Sequence, residues 1–230
     1  LALWLVSPGL GQDQAAENPP PAEPVHPDQI LVTEALPLLM PAFGDEEMAG
    51  VKIGDLLDEM PAVPGEAGPS RDREFAGLDG TVQKWRTKSL KNGSLDFDRS
   101  DKEASVRYLA FYLTTDRWLK VSLTVTGEHP VKGSLDGTGL ALTRKDGDET
   151  EPARHEGELK LTIGKHLVVL RTMADPEVTG DWELGLSVTP EPEIDPAALE
   201  FFQFHIPEHK DLCSGISAGN AVCDKLSKFG

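Results

Sequence analysis

The middle of the chain contains short runs in which hydrophobic and polar residues alternate. In 118–125 (WLKVSLTV), every second residue from Leu119 to Val125 is aliphatic, and the residues between them are Lys, Ser and Thr. Residues 182–188 (WELGLSV) follow the same period of two. This alternation is typical of a strand with one face in the core and the other in water. The sequence therefore predicts two half-buried strands.

A second kind of strand is predicted before and after these runs. Residues 104–113 (ASVRYLAFYL) are rich in aromatic and β-branched residues and apolar on both alternating sides, which indicates a strand covered on both faces. Asp136-Gly137 separates two short runs, a strong hairpin signal, and Gly164-Lys165 separates ELKLTI from HLVVLRTM. Strands at intervals of about 8–12 residues favour an all-β, antiparallel, jelly-roll-like sandwich.

The pattern also divides the chain into segments. Residues 31–190 carry the sandwich, including one short helix predicted over 51–60 (VKIGDLLDEM) from near-helical apolar spacing. Residues 1–11 match the later half of a secretory signal peptide, and 12–30 form a Pro-rich acidic linker. Residues 191–230 predict an irregular tail. We therefore expect a secreted or periplasmic protein.

Charge narrows the choice of partners. The chain of 230 residues has 39 acidic and 22 basic residues, which give a formal net charge of −17. Such a chain repels phosphate backbones and anionic lipid surfaces, so we expect no nucleic-acid partner. The apolar run 1–6 is far too short to cross a bilayer, so no membrane span is expected. Nothing in the sequence points to a cofactor.

The two cysteines, Cys213 and Cys223, both lie in the tail. In an exported protein they would close a small loop as a disulfide. Two thiols without C-x-x-C spacing or a local histidine pair make a poor zinc site, so the disulfide is the favoured interpretation.

The tail also contains GISAG (215–219), which matches the G-x-S-x-G spacing of a serine hydrolase with Ser217 as the nucleophile. That motif needs a buried strand before it, a helix after it, and the acid and histidine later in the chain. HKDLCSGI is not a buried strand, and no histidine follows Ser217. The sequence therefore favours a loop and a protein that is not an enzyme, with a serine hydrolase as the remote alternative.

Metal binding has one candidate stretch, LDFDRSDKE, in which Asp96, Asp98 and Asp101 supply the oxygen ligands that calcium prefers. It lacks the glycine and the final glutamate of an EF-hand loop, so a solvated acidic turn is the favoured interpretation. His166 has no second ligand at suitable spacing, which indicates a hydrogen-bonded structural histidine and no metal.

Aromatic residues suggest a binding surface instead. Trp85, Trp118, Tyr108 and Tyr112 are candidates for a platform on which sugar rings stack, and core packing is the alternative for each. Trp118 shares the polar side of its strand and is therefore expected to be exposed. Asp136 is a third ligand-binding candidate beside Trp85 and Trp118. Exposed apolar residues generally mark partner surfaces, which favours contact with another domain over contact with a glycan.

The order of these elements resembles a known module. Trp85 precedes the first strand, YLAFY (108–112) leads into TDRW (115–118), a Leu-Asp-Gly hairpin and a Leu-x-x-Gly-x-His unit follow, and a Trp strand closes the set. Residues 50–190 thus resemble the N-terminal, lectin-like accessory β-sandwich of exported bacterial prolyl-oligopeptidase-type peptidases and propeller-bearing amidohydrolases. The resemblance implies a non-catalytic accessory module that contacts other domains of a larger hydrolase or a glycan. A stand-alone carbohydrate-binding module is the alternative.

Overall fold

The computed structural model of the chain describes residues 23–37, 53–64, 68–77, 80–98, 105–148, 151–175, 178–179 and 181–191. Within these residues there are fourteen β-strands and one 3-10 helix. The strands are β1 Gln29–Val32, β2 Leu36–Pro37, β3 Glu74–Ala76, β4 Val82–Lys84, β5 Arg86–Ser89, β6 Ser94–Phe97, β7 Ser105–Thr115, β8 Leu119–Thr126, β9 Val131–Leu135, β10 Thr138–Leu140, β11 Thr143–Lys145, β12 Arg154–Leu161, β13 Gly164–Met173 and β14 Trp182–Pro190. The 3-10 helix is Ile53–Asp58.

These strands form two main sheets and a small hairpin. One sheet has seven strands in the order β10-β9-β13-β7-β1-β5, with β2 also paired to β7, and the other has five in the order β11-β12-β8-β14-β6. The hairpin pairs β3 with β4. Strand pairing is antiparallel in both sheets and in the hairpin. The antiparallel all-β sandwich predicted from the sequence is confirmed.

An inner core lies between the two sheets. Alternate side chains of each strand enter it, because successive residues of a strand point to opposite faces. Ile30, Leu109, Phe111, Val168 and Leu170 come from the seven-stranded sheet, and Leu95, Leu123, Leu159, Trp182 and Leu184 come from the five-stranded sheet. Burying this apolar area from two sheets is the main source of stability for such a sandwich.

An outer cluster covers the other face of the seven-stranded sheet. Leu56, Leu57 and Met60 from the 3-10 helix and the turn after it pack there against Tyr108 and Trp85. The segment that follows the helix is also tied down by hydrogen bonds. Side chains of β7, β9 and β13 donate to its backbone carbonyls: Tyr108 to Pro61 (3.0 Å), Ser134 to Ala62 (3.2 Å), Tyr112 to Pro69 (2.9 Å) and Arg171 to Met60. The molecule therefore has a third layer beyond the sandwich.

Two local predictions need restating. The helix predicted over 51–60 is not shown as an α-helix: the described residues there form a six-residue 3-10 helix that has Gly54 in its first turn and is followed by Pro61. Glycine weakens a helix and proline cannot continue one, so a longer α-helix is disfavoured. In the predicted linker 12–30, β1 begins at Gln29 and Val25 pairs with Val188, so its last residues belong to the sandwich.

Candidate contact site at one end of the sandwich

Two turns connect the sheets at the same end of the sandwich. The first, between β7 and β8, contains Trp118, and the second, between β12 and β13, contains Ile163. Thr115 at the end of β7 pairs with Gly164 at the start of β13. Leu119 pairs with Leu161 in the other sheet. The two turns are therefore neighbours, and we call this end of the molecule, with Trp118 and Ile163 at its tip, the Trp118 end.

The Trp118 end exposes two large apolar side chains. Trp118 is 75% exposed and Ile163 is 65% exposed. Among the described residues, the one other large hydrophobic side chain with comparable exposure is Val82, at 72%, in β4 of the small hairpin. Scattered single exposed residues are normal on a protein surface, but here two large apolar side chains lie on adjacent turns, and we call this pair the patch.

The turn that carries Trp118 is fixed by a buried threonine. The Thr115 hydroxyl donates to the carbonyl of Arg117 (2.8 Å) and accepts from the amide of Arg117 (3.2 Å). The Arg117 guanidinium donates to the Asp116 carboxylate at 3.0 Å. A Thr hydroxyl that bonds its own turn in this way favours the turn over a continued strand. Trp118 is therefore presented on an ordered turn, and it is exposed as the alternation of 118–125 predicts.

Asp136 also lies toward the Trp118 end, but its carboxylate is hydrogen-bonded to other parts of the fold. It has φ of 51°, and Gly137 has φ of 81°, the left-handed conformations that a two-residue hairpin turn requires. One carboxylate oxygen of Asp136 accepts from the Leu167 amide (2.8 Å), and the other accepts from Nδ1 of His166 (2.7 Å). Both oxygens thus tie the β9–β10 hairpin to β13. Each of them already has a hydrogen-bond partner within the fold.

His166 completes this polar cluster. It is buried, and its Nε2 donates to the Thr162 carbonyl at 2.9 Å while its Nδ1 faces the Asp136 carboxylate. Both ring nitrogens therefore face hydrogen-bond acceptors. The geometry agrees with the structural role predicted for His166 and leaves neither ring nitrogen available as a catalytic base.

The other predicted aromatic residues do not join Trp118. Trp85 is fully buried in the outer cluster, where its ring centroid lies 5.7 Å from that of Phe75. Tyr108 and Tyr112 are also buried, with their hydroxyls bonded to Pro61 and Pro69. A ring in these positions cannot stack on a soluble ligand. The structure therefore brings Trp118 and Asp136 to one end and places Trp85 in a separate layer.

The acidic candidates for calcium lie outside this end. Asp96 is exposed and pairs in register with Glu183, and Asp98 is exposed just after β6. A cleft of about 390 Å³ near the far end of β8 is lined by small and polar residues and by the three carboxylates of Glu128, Asp181 and Glu183. Over the part of the chain that the structure describes, no group of three ligand-type side chains is placed to bind a metal ion. Asp101 lies outside the described residues, as do Cys213, Cys223 and Ser217.

The chain enters and leaves the sandwich at the Trp118 end. The amide of Glu191 bonds the carbonyl of Lys120 (3.3 Å), two residues after Trp118, and the Lys120 ammonium pairs with the Glu191 carboxylate at 3.0 Å. At the other border, Val25 and Val188 exchange two backbone bonds of 2.8 and 2.9 Å in an antiparallel bridge. Glu23 and Pro24, the described residues before Val25, therefore run beside Pro190 toward the same end.

Ile163 is the residue of this patch that sequence reasoning missed. It follows Leu159 and Leu161 at a spacing of two, so the alternation predicts an inward side chain. In the structure β12 ends at Leu161 and the chain turns before Gly164, which has φ of 130°. The signal that marks the turn was the Gly164-Lys165 pair, since glycine tolerates that conformation and Ile163 precedes it.

No known protein-family model matches the chain, and no curated protein does either. The resemblance to peptidase accessory modules therefore stays a prediction, as does export. In the described part of the chain, no helix has both the length and the apolar character needed to cross a membrane.

Proposed function

We propose that the sandwich is a non-catalytic accessory module of an exported multidomain hydrolase and contacts another part of that protein through the Trp118 end. The observation that carries the proposal is the position of the exposed pair Trp118 and Ile163 at the end where the chain enters and leaves the sandwich. Glu191, the last described residue, bonds Lys120 close to the patch. The partner expected nearest to the Trp118 end is therefore another part of the same protein.

The chemistry of the patch supports a contact role. A tryptophan buries roughly 150–250 Å² when it is covered, and tryptophan is among the residues that dominate interface energies. The polar groups around it are already paired: Lys120 bonds Glu158 and Glu191, each at 3.0 Å, and Asp136 bonds His166. An apolar centre surrounded by polar groups is the usual composition of an interface core and its rim.

The same pairing argues against catalysis at this end. A serine or threonine nucleophile needs a base with a free lone pair within hydrogen-bond reach. The two nitrogens of His166 are both occupied, and the Thr115 hydroxyl is bonded within its own turn. A fluorophosphonate probe tests the point for the whole chain, because covalent labelling of Ser217 would contradict a non-catalytic function.

A stand-alone carbohydrate-binding module is the second candidate. The observation that favours it is the flat, 75% exposed ring of Trp118, which directly precedes β8, where the carboxylates of Glu158 and Glu191 pair with Lys120. Such a ring suits the apolar faces of sugars. A single exposed ring offers less apolar area than an interface with a folded partner buries. Stacking on a sugar would also leave the exposed Ile163 without a role. The contact module is therefore the stronger interpretation.

Small-angle scattering of the intact hydrolase tests the proposal. Trp118→Ser should loosen the sandwich from the rest of the protein and raise the radius of gyration, because the apolar contact is lost. Val82→Ser is the matched control, since Val82 is equally exposed but lies in the β3–β4 hairpin. If the radius stays unchanged and Trp118→Ser instead abolishes binding on a glycan array, the carbohydrate-binding module replaces our proposal.

A further inference from the structure

Two buried histidines lie at the end of the sandwich opposite Trp118. His129 is fully buried in the turn between β8 and β9, and His155, the second residue of β12, is 5% exposed. The ring of His129 packs on Trp182 of the inner core, with 5.9 Å between the ring centroids. A hydrogen bond joins the His155 ring to the backbone of His129. The two imidazoles therefore form one group, which we call the far-end pair.

The turn that carries His129 is bonded to both sheets. The amide of Gly127 donates to the carbonyl of Ala153 (2.8 Å), and the amide of Ala153 donates to the carboxylate of Glu128 (2.9 Å), just before β12 of the five-stranded sheet. Nδ1 of His129 accepts from the amide of Asp175 (3.1 Å), which follows β13 of the seven-stranded sheet. These bonds hold the two sheets together at this end.

Neither ring of the far-end pair is placed to carry a second proton. A protonated imidazole has an N–H at both nitrogens. Nδ1 of His129 faces the N–H of Asp175, so a proton there would set two donors against each other. Nε2 of His155 is buried and has no hydrogen-bond partner among the described residues, so its protonation would bury a charged donor without an acceptor. Both rings are therefore neutral while the turn is in place.

The surrounding charges do not reverse this preference. Burial lowers the pKa of His155 below its ordinary value of 6.5 and the charge of Arg144 lowers it further, whereas the bond to the His129 backbone and the charge of Glu128 oppose the change. The Glu128 carboxylate already accepts from a backbone amide and lies 3.4 Å from the Arg144 guanidinium. The other charged groups on the neighbouring elements are Arg154 and Glu156 in β12, Asp175 after β13, Asp181 and Glu183 at the start of β14, and Arg107 in β7.

We propose that the far-end pair is an acid-sensitive latch: protonation of His129 and His155 releases the β8–β9 turn and opens the sandwich at the end opposite Trp118. The inference does not rest on the proposed function, which concerns the other end. In the opened form each ring titrates near its ordinary pKa of about 6.5. A ring that is neutral only in the closed form therefore favours opening by about tenfold for each pH unit below that value, and the latch is fully closed above about pH 7.

Hydrogen exchange of the 230-residue chain at about pH 7.5 and about pH 5 tests the inference. The protection factors of the Ala153 and Asp175 amides, which correct for the chemical effect of pH on exchange, should fall by at least about tenfold at the lower pH. The amides of β7 should keep their protection. An equal loss in β7 would mean that acid unfolds the whole sandwich, and no loss at Asp175 would mean that the turn is insensitive to acid. Either result would overturn the latch.

Substitutions of the two histidines separate their contributions. His129→Asn keeps an oxygen acceptor near the position of Nδ1 but does not titrate in this range, and His155→Leu keeps a side chain of similar size in the core. Each variant should remove about half of the acid response on a logarithmic scale, and the double variant should remove nearly all of it. His26→Asn is the control, because Nδ1 of His26 faces the Leu186 carbonyl (2.9 Å) on another part of the sandwich. An undiminished response in the double variant would contradict the proposal.

Nitrogen-15 NMR of the histidine rings examines the unmodified chain. At about pH 7.5, Nδ1 of His129 should have the chemical shift of a nitrogen without a proton, because it accepts from Asp175. Both rings should gain their second proton only together with the loss of protection at the Asp175 amide. A ring that is protonated near pH 6.5 while this amide stays protected would show that the closed turn tolerates the charge, and the latch would then be rejected.

Discussion

The two sheets of the sandwich differ in how many of their faces are covered. In β8, at the centre of the five-stranded sheet, Leu119 to Val125 alternate with polar residues that face water. In β7, at the centre of the seven-stranded sheet, Thr114 is the only exposed residue. One sheet therefore has a core on one side and solvent on the other, and the second has apolar packing on both. An alternating sequence therefore identifies the core-facing side of a strand only in a sheet that has one buried face.

The two faces of the seven-stranded sheet also differ in the way they are covered. The inner face meets another hydrogen-bonded sheet, whereas the outer face meets a six-residue 3-10 helix and connecting segments. Those segments contribute backbone carbonyls that the sheet side chains bond individually, as Tyr108 bonds Pro61. We infer that the inner core governs global unfolding and that the outer layer opens more locally.

Truncating an inner-core leucine is the strongest test of this difference. Leu123 is fully buried between the sheets, so Leu123→Ala should lower the free energy of unfolding by about 2–5 kcal/mol. Urea unfolding measures the loss. Ser122→Ala on the exposed side of the same strand is the control and should change the value by no more than about 0.5 kcal/mol. A small loss at Leu123 would mean that the sheets do not share one cooperative core.

Truncating a leucine of the outer layer should cost less. Leu57 is as fully buried as Leu123, but it lies on a short helix that can settle into a cavity more easily than two sheets can. Leu57→Ala should therefore cost about 2 kcal/mol, at the low end for such changes. Hydrogen exchange should show faster opening of 57–64 with β8 unchanged, and exposed Glu59→Ala should have neither effect. Equal acceleration in β8 would show that the layers unfold together.

The sequence predicts the strands with one buried face well, because their solvent-facing positions are polar and their core-facing positions are apolar. It also indicates that β7 is covered on both faces, since Tyr108 and Leu109 are both apolar and point in opposite directions. It does not show what covers the outer face. The hydroxyl of Tyr108 bonds a carbonyl 47 residues earlier in the chain, and no local periodicity records such a contact.

The residues considered for the candidate site also differ in how well the sequence predicts their surroundings. Trp118 was predicted to be exposed from the alternation of its own strand. The use of both Asp136 oxygens depends on β9 lying beside β13, a neighbour relation set by sheet order. Trp85 directly precedes the edge strand β5, and its burial depends on the outer layer. Residues whose environment is set by distant segments were therefore the ones that the sequence could not place.

The smallest expected effect concerns the hydrogen bond that attaches the outer layer at Tyr108. Tyr108→Phe removes the donor to the Pro61 carbonyl, bonded at 3.0 Å, and keeps the ring, so it should cost about 1 kcal/mol. Hydrogen exchange should locate the loss in 57–64. Tyr112→Phe is the matched variant, because its hydroxyl bonds Pro69 instead and should loosen 68–70. A change in β8 from either variant would contradict separate layers.

The ionisation of Tyr108 at alkaline pH provides a second test, through the pH dependence of the free energy of unfolding. Burial raises the pKa of Tyr108 to about 12 from its ordinary value of 10.0, and the charge of Arg171 opposes part of the rise. Because the folded pKa lies above the unfolded one, this contribution to stability is complete below about pH 10 and is lost as the pH rises toward 12. Urea unfolding between those values should show a shallower decline for Tyr108→Phe than for the wild type. An unchanged decline would mean that the hydroxyl ionises as freely in the folded chain as in the unfolded one, and the outer layer would then not shield Tyr108 from water.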